Sequence, residues 1–308
     1  MVGRHATFAA LATLSLALWA CEPAAPQAPA PEPLPPSGLP TSTEALLFGT
    51  ANRCNLASEC ESGACVFGAC AGLITVDEPA LTDVVGERLR QQLERTPGLA
   101  ERLVPTLSMM VTDVEAGLPF RGRAARTLAQ IGSPAALVEL ERRLPESPGS
   151  LADLIAVLLA NAGRPAGLDR VVELSQSKTT SRSVEALRAL GGLKDAPPDA
   201  RELALIELLS ALSPDVHLEE NRAAIDGLAR LGDPRALTPL RRFLVAGPDA
   251  LAHETARAMR ALAGKEAALL GPDPRRWDAF FQANPPPAPP AFTPRRHDSE
   301  DDLDLPTP

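Results

Sequence analysis

The 308-residue chain has no tyrosine and is only 3% aromatic, so alanine and leucine have to fill any core. That composition favours close-packed helices over a sandwich or barrel. The net charge of −9 is unevenly placed: residues 121–283 hold 22 Lys and Arg against 21 Asp and Glu, a near-neutral body with no electrostatic footprint for nucleic acid.

Arg4 and His5 precede an apolar run from Ala6 to Ala20, too short for a comfortable membrane span, so residues 1–20 read as a targeting signal. The run ends in Leu18-Trp19-Ala20-Cys21, which resembles a bacterial lipobox. The resemblance implies that Cys21 becomes the lipidated first residue of the mature chain. Glu22, by resemblance to Gram-negative lipoproteins, implies the outer membrane. Ordinary signal-peptidase cleavage is the competing reading, and Leu18 fits its small-residue preference poorly. Residues 21–43 are then a disordered Pro-rich tether, extended at about 3 Å per residue where it is polyproline II.

A cysteine-rich module follows over residues 44–75. With Cys21 lipidated, four cysteines remain, Cys54, Cys60, Cys65 and Cys70. An even set in an exported chain reads as two disulfides. Zinc is the competing reading, but the spacings contain no CxxC pair. Three connectivities are possible, and Cys54–Cys65 with Cys60–Cys70 is the expected one. The stretch from Ser62 to Cys70 resembles short cysteine modules of bacterial surface proteins, and that resemblance implies no activity.

Helical periodicity begins at Pro79. Residues 81–94 and 97–111 form a predicted N-terminal helix pair within 79–120, with Pro105 expected to kink or restart the second helix. Beyond Phe120 the chain repeats itself. Leu128-Ala-Gln-Ile-Gly-Ser-Pro-Ala-Ala-Leu137 aligns with Leu159-Ala-Asn-Ala-Gly-Arg-Pro-Ala-Gly-Leu168 and with Leu228-Ala-Arg-Leu-Gly-Asp-Pro-Arg-Ala-Leu237. Weaker copies start at Leu187 and Met259, giving spacings of 31, 28, 41 and 31 residues.

The motif has a physical logic. Gly132, Gly163 and Gly232 are placed to end one helix in the left-handed conformation. The proline two residues later suits the first turn of the next helix, and Ser133 or Asp233 before it serves as the cap. The first helix of a pair then buries Leu137, Leu140 and Leu144, or Leu237, Leu240 and Leu244. A second helix returns with Leu151, Leu154, Ile155, Leu158, Leu159 and Ala162 on its apolar face.

The repeated segment resembles the HEAT repeat, in the short variety also found in phycobilisome-lyase-type proteins. A plain helical bundle with accidental matches is the alternative. The expected architecture is all-α: a solenoid of HEAT-type helix pairs over residues 121–283, interrupted where the insertion at 194–200 stretches one repeat. Residues 274–282 are expected to cap it, with Trp277, Phe280 and Phe281 covering the last apolar layer. An aromatic ligand platform is the other reading of those rings. Residues 284–308 read as a disordered, acidic, Pro-rich tail.

No motif specifies a reaction. His217, His253 and His297 lie in separate segments, and there is no HExxH, GxSxG, GxxxxGK[ST] or GxGxxG in a matching context. No catalytic residue, cofactor, metal or small-molecule substrate is therefore expected.

Solenoids of this kind present their second helices to partners on the concave face. One row there reads Arg126, Val157, Glu185, Asp226, Arg257, and another reads Gln130, Asn161, Ala189, Arg230, Ala261. Neither is a repeated basic, aromatic or amide ladder, which argues against a base-reading RNA code and for an irregular protein surface. The polar members, Arg126, Gln130, Asn161, Glu185, Asp226, Arg230 and Arg257, are the candidate partner surface.

The leading expectation is a non-enzymatic protein-binding scaffold held in the cell envelope by lipid. A modifying enzyme or lyase of the short-repeat type and a purely structural envelope protein are the alternatives.

Overall fold

The computed structural model describes residues 49–53, 65–66, 69–72, 87, 89–96 and 98–295. The expected signal and tether, Cys21, Cys54, Cys60 and residues 296–308 lie outside these, and so does the expected cysteine pairing. Before the helices the described backbone forms a small antiparallel sheet in the order β1-β3-β2, from β1 (Gly49–Arg53), β2 (Cys65–Val66) and β3 (Ala69–Ala71). Gly49 pairs with Ala71 and Cys65 with Cys70, and the β1–β3 register shifts between Thr50 and Arg53.

The rest of the described chain is an all-α, HEAT-type solenoid. Its first pair is α1 (Leu99–Thr112) and α2 (Leu118–Ile131), followed by α3 (Pro134–Arg143) and α4 (Gly149–Asn161). Next come α5 (Leu168–Ser175) with α6 (Thr180–Leu190), then α7 (Pro198–Ala211) with α8 (Leu218–Leu231). The last pair is α9 (Leu237–Ala246) and α10 (Ala252–Ala263), and α11 (Pro274–Ala283) closes the stack. The second helices α2, α4, α6, α8 and α10 pack in that order, each against its neighbour, and α11 packs on α9.

The turn chemistry follows the motif. Gly132, Gly163 and Gly232 have φ of 63°, 78° and 73°, a conformation that glycine adopts without a Cβ penalty. Ser133 Oγ accepts the Ala136 N–H at 3.2 Å ahead of Pro134 at the start of α3. Asp233 Oδ1 accepts the Arg235 N–H at 3.0 Å, ahead of a single 3-10 turn, Pro234–Ala236, that leads into α9. Pro165 departs from the pattern, because α5 starts only at Leu168, after Gly167 at φ 79°.

Three further expectations are corrected. Helix α1 runs unbroken through Pro105. Pro105 and Glu101, whose carbonyl loses its partner there, are both exposed, so that carbonyl faces solvent instead of being buried unpaired. In α4 the buried face is broader than the expected stripe: Ala152, Ala156, Val157 and Ala160 are buried, whereas Ala162 is exposed. This helix is packed between α2 and α6, so two of its sides are covered.

The insertion at 194–200 does not break the stack. A 3-10 turn, Gly191–Asp195, packs against α4 and α8, and α8 lies along α6 without a gap. Residues 284–295 carry no helix or strand, and Arg295 is bonded to α5 and α7.

At the other end of the stack Trp277 is fully buried, donates its indole N–H to the Gly271 carbonyl at 2.9 Å, and meets Phe280 edge-on at 5.9 Å. It belongs to the same apolar cluster as Leu240, Phe243 and Met259, as a cap requires.

The Gly-Gly step at the end of α6 sets the helix spacing. A Cβ on Gly191 would stand 2.7 Å from the Gly227 Cα, whereas one on Gly149 would meet nothing within 4 Å. Gly191→Ala is therefore expected to cost about 1–3 kcal/mol by overpacking, and Gly149→Ala to be neutral or stabilising, as measured by urea denaturation.

Asp233 makes the second prediction. Burial alone pushes its carboxyl up, but the Arg235 side chain and backbone N–H, with the charges of Arg235 and Arg201, win and hold it below its ordinary value. A lowered folded value means stability that is present above the unfolded value, near pH 4, and lost as pH falls through the folded one. Wild type should therefore exceed Asp233→Asn by about 1–3 kcal/mol at pH 7, with the gap closing below about pH 4.

Candidate functional site

The second-helix row is held together through small residues, including Ala156, Ala160, Ala186, Ala189, Ala223 and Ala224, all buried. Close spacing pushes the longer side chains of this row out to its surface, where they gather around two hollows. The first, about 230 Å³, lies between α2, α4 and α6 and is lined by Arg126, Asp153, Leu154, Val157, Arg182 and Glu185. The second, about 480 Å³, lies between α6, α8 and α10. Arg188, Arg222, Asp226, Glu254 and Arg257 surround it, with Ile225 and Ala258 among the apolar residues of its floor.

Some of these charges are already paired. The Arg222 guanidinium donates to both Glu254 oxygens at 3.0 and 3.2 Å and also to Glu219. These bonds, Glu219 first and then Glu254, raise the guanidinium further above its ordinary value and fix it as a cation. Arg170 holds Asp153 at 3.0 Å. Among the described residues Arg126, Arg182, Arg188 and Arg257 make no ion pair, and neither do Glu185 and Asp226. These six side chains are exposed. The face therefore offers separated positive and negative groups beside apolar floors, with nothing to consume them internally.

The sequence rows are partly reunited. Arg126 and Glu185 meet at the first hollow, and Asp226 and Arg257 at the second. Arg230 reaches across 69 residues to Asn161 Oδ1, at 3.4 and 3.5 Å, and donates to the Arg188 carbonyl at 2.9 Å. This ties α8 to α4 and α6 and uses Asn161 and Arg230 for structure. Gln130 is exposed at the end of α2 and lines neither hollow. Of the apolar row positions, Val157 and Ala189 are buried, whereas Ala261 is exposed and lines the second hollow.

The rows missed Asp153, Arg182, Arg222 and Glu254. Each lies three or four residues before a row position, one helical turn away on the same face. Two further rows, three and four residues before the first row, find them between them.

Among the described residues no three His, Cys, Asp or Glu side chains stand close enough to hold a metal ion. No helix of the described chain is long and apolar enough to cross a membrane.

Comparison with known families agrees with the fold. The PBS lyase HEAT-like repeat family matches residues 120–144 and 221–245. Each match spans a second helix, its glycine turn and the first helix that follows, α2–α3 in one case and α8–α9 in the other. These segments are similar to HEAT-like repeats in the same unit that the structure shows. No curated protein matches the chain.

Proposed function

We propose that this chain is a non-enzymatic scaffold that binds a protein through its second-helix face and is held at the cell envelope by lipid on Cys21. The observation that carries the binding half is the set of exposed, unpaired charges of both signs, Arg126, Glu185, Arg188, Asp226 and Arg257, around two apolar-floored hollows on one face. Such a surface matches a folded partner with its own mixed charges. Electrostatic complementarity then gives register and on-rate, while the floors take up apolar side chains. The irregularity of the rows fits one irregular partner better than a repeated polymer.

The anchoring half rests on the lipobox-like Leu18-Trp19-Ala20-Cys21, on Glu22, which directs the chain to the outer membrane, and on four further cysteines that make two disulfides in an oxidising compartment. The Pro-rich tether then holds the solenoid away from the bilayer.

A lyase is the second reading. It is favoured by the description of the matching repeat family, and that is an analogy of fold rather than of site.

Replacing Arg126, Arg188 and Arg257 together by Glu should lower recovery of the proteins that co-purify with the wild-type chain from envelope extracts at least about tenfold. The helical circular dichroism should be unchanged. Recovery of the same proteins in full would contradict the assignment of the face.

Mass spectrometry of the mature chain from membranes should find diacyl- or triacyl-modified Cys21 and four oxidised cysteines. An unmodified chain that starts elsewhere would remove the anchor.

A further inference from the structure

The chain beyond α11 contains six prolines between 284 and 295 and no helix or strand. Asn284 continues the last turn of α11, with its N–H on the Phe280 carbonyl at 2.8 Å. Eleven residues later Arg295 lies on α7 and α5. Polyproline II advances about 3.1 Å per residue, or about 34 Å over this segment. Three steps between packed helices, at about 8–10 Å each, need about 24–30 Å. The segment is thus long enough to cross the first-helix row from α11 to α5 in an extended form, and Phe292 packs against the core on the way.

The groups that receive Arg295 belong to the solenoid and need a donor. Ser210 lies in the last turn of α7, and the residue four positions on is Pro214, which has no N–H to give its carbonyl. The Arg295 N–H fills that place at 2.7 Å. Ser175 is the last residue of α5 and is buried. Its carbonyl accepts the Ser183 hydroxyl at 2.8 Å and Arg295 Nη1 at 2.5 Å, and its own hydroxyl accepts Arg295 Nη2 at 2.9 Å. The Glu207 carboxylate, 13% exposed, takes Gln176 Nε2 at 3.2 Å and Arg295 Nη2 at 2.7 Å.

The C-terminus of α5 and a nearly buried carboxylate converge on one guanidinium, while the C-terminus of α7 takes the Arg295 backbone N–H. Both groups on the guanidinium favour a cation, and its planar set of donors reaches them together.

We propose that the ends of α5 and α7 form a docking site for a proline-rich segment that carries an aromatic residue three positions before an arginine. It is occupied in cis by Phe292-Thr293-Pro294-Arg295, and it accepts the same chemistry from another chain when this strap is released. Proline makes the occupant extended before it binds, so little ordering entropy is lost on docking. Among the described residues the strap is held beyond α11 by Phe292 and by Arg295, whose guanidinium makes three of its bonds, so a substitution there weakens its hold. This site lies on the first helices and is separate from the second-helix face proposed above.

The test uses the full chain and a fluorescent peptide copying residues 284–297. Wild type, with its site filled, should bind the peptide weakly. Arg295→Ala in the full chain should bind it at least about tenfold more tightly, since loss of a charge-assisted contact is worth a factor of ten or more. Adding Glu207→Gln to Arg295→Ala should abolish that gain, as should replacing the peptide's first arginine by alanine.

In a second measurement on the full chain, trypsin should cut after Arg295 at least about tenfold faster in Glu207→Gln than in wild type. Equal peptide affinity in wild type and Arg295→Ala, or equal cleavage rates, would overturn the proposal. Retained helical circular dichroism shows that each variant is folded.

Discussion

At the end of α6 two consecutive glycines fill spaces in which no side chain fits. A Cβ on Gly191 would stand 2.7 Å from Gly227 Cα and carbonyl oxygen in α8, and one on Gly192 would stand 2.4 Å from the Ala160 carbonyl of α4. This backbone-to-backbone approach carries the stack across its longest repeat. It places α6 against both neighbours, buries Leu187, Leu190 and Leu193 beneath, and lets α8 follow on without a gap. The two hollows of the second-helix face flank this point, with α6 lining both. Close spacing in the row therefore creates the surface, because it leaves the arginines and acids no interior to enter.

Arginine is the other recurrent device. Arg121, only 7% exposed, donates to the Val111 carbonyl at the end of α1, at 2.7 Å. Arg230 donates to the Arg188 carbonyl, in the last turn of α6, at 2.9 Å. Arg295 does the same for the Ser175 carbonyl at the end of α5. Short helices end often, and each end leaves carbonyls that need donors. A guanidinium on a long stem supplies them without a dedicated loop. Arginines that close helix ends in this way are distinct from Arg126, Arg188 and Arg257, which have no such work and remain at the surface.

Much of the fold is legible in the residues. The Leu-Gly-Pro-Leu motif encodes a helix end, a left-handed turn and a new start, and Gly132 and Gly232 do both jobs where the motif puts them. Long-range packing was less readable. The Pro-rich insertion reads locally as a break, yet the glycine pair before it dictates continuity through contacts with residues some 30 positions away on either side. Pro105 reads as a restart because the rule is local, whereas its exposure is a tertiary fact. Residues 284–295 read as tail because prolines cannot build a core. Their anchor, an orphan carbonyl opposite Pro214, becomes visible only when α7 is in place. For the candidate face, row positions found the residues at one register and passed over those one turn away.

The claim on which the functional account depends is that partners meet the second helices. Site-specific photo-crosslinking in living cells tests it most directly, with a benzophenone amino acid placed at Asp226 on α8 or at Arg242 on α9. Both positions are exposed. A discrete covalent adduct from position 226 and none from 242 is the predicted result. Adducts only from 242, or the same adducts from both, would contradict it.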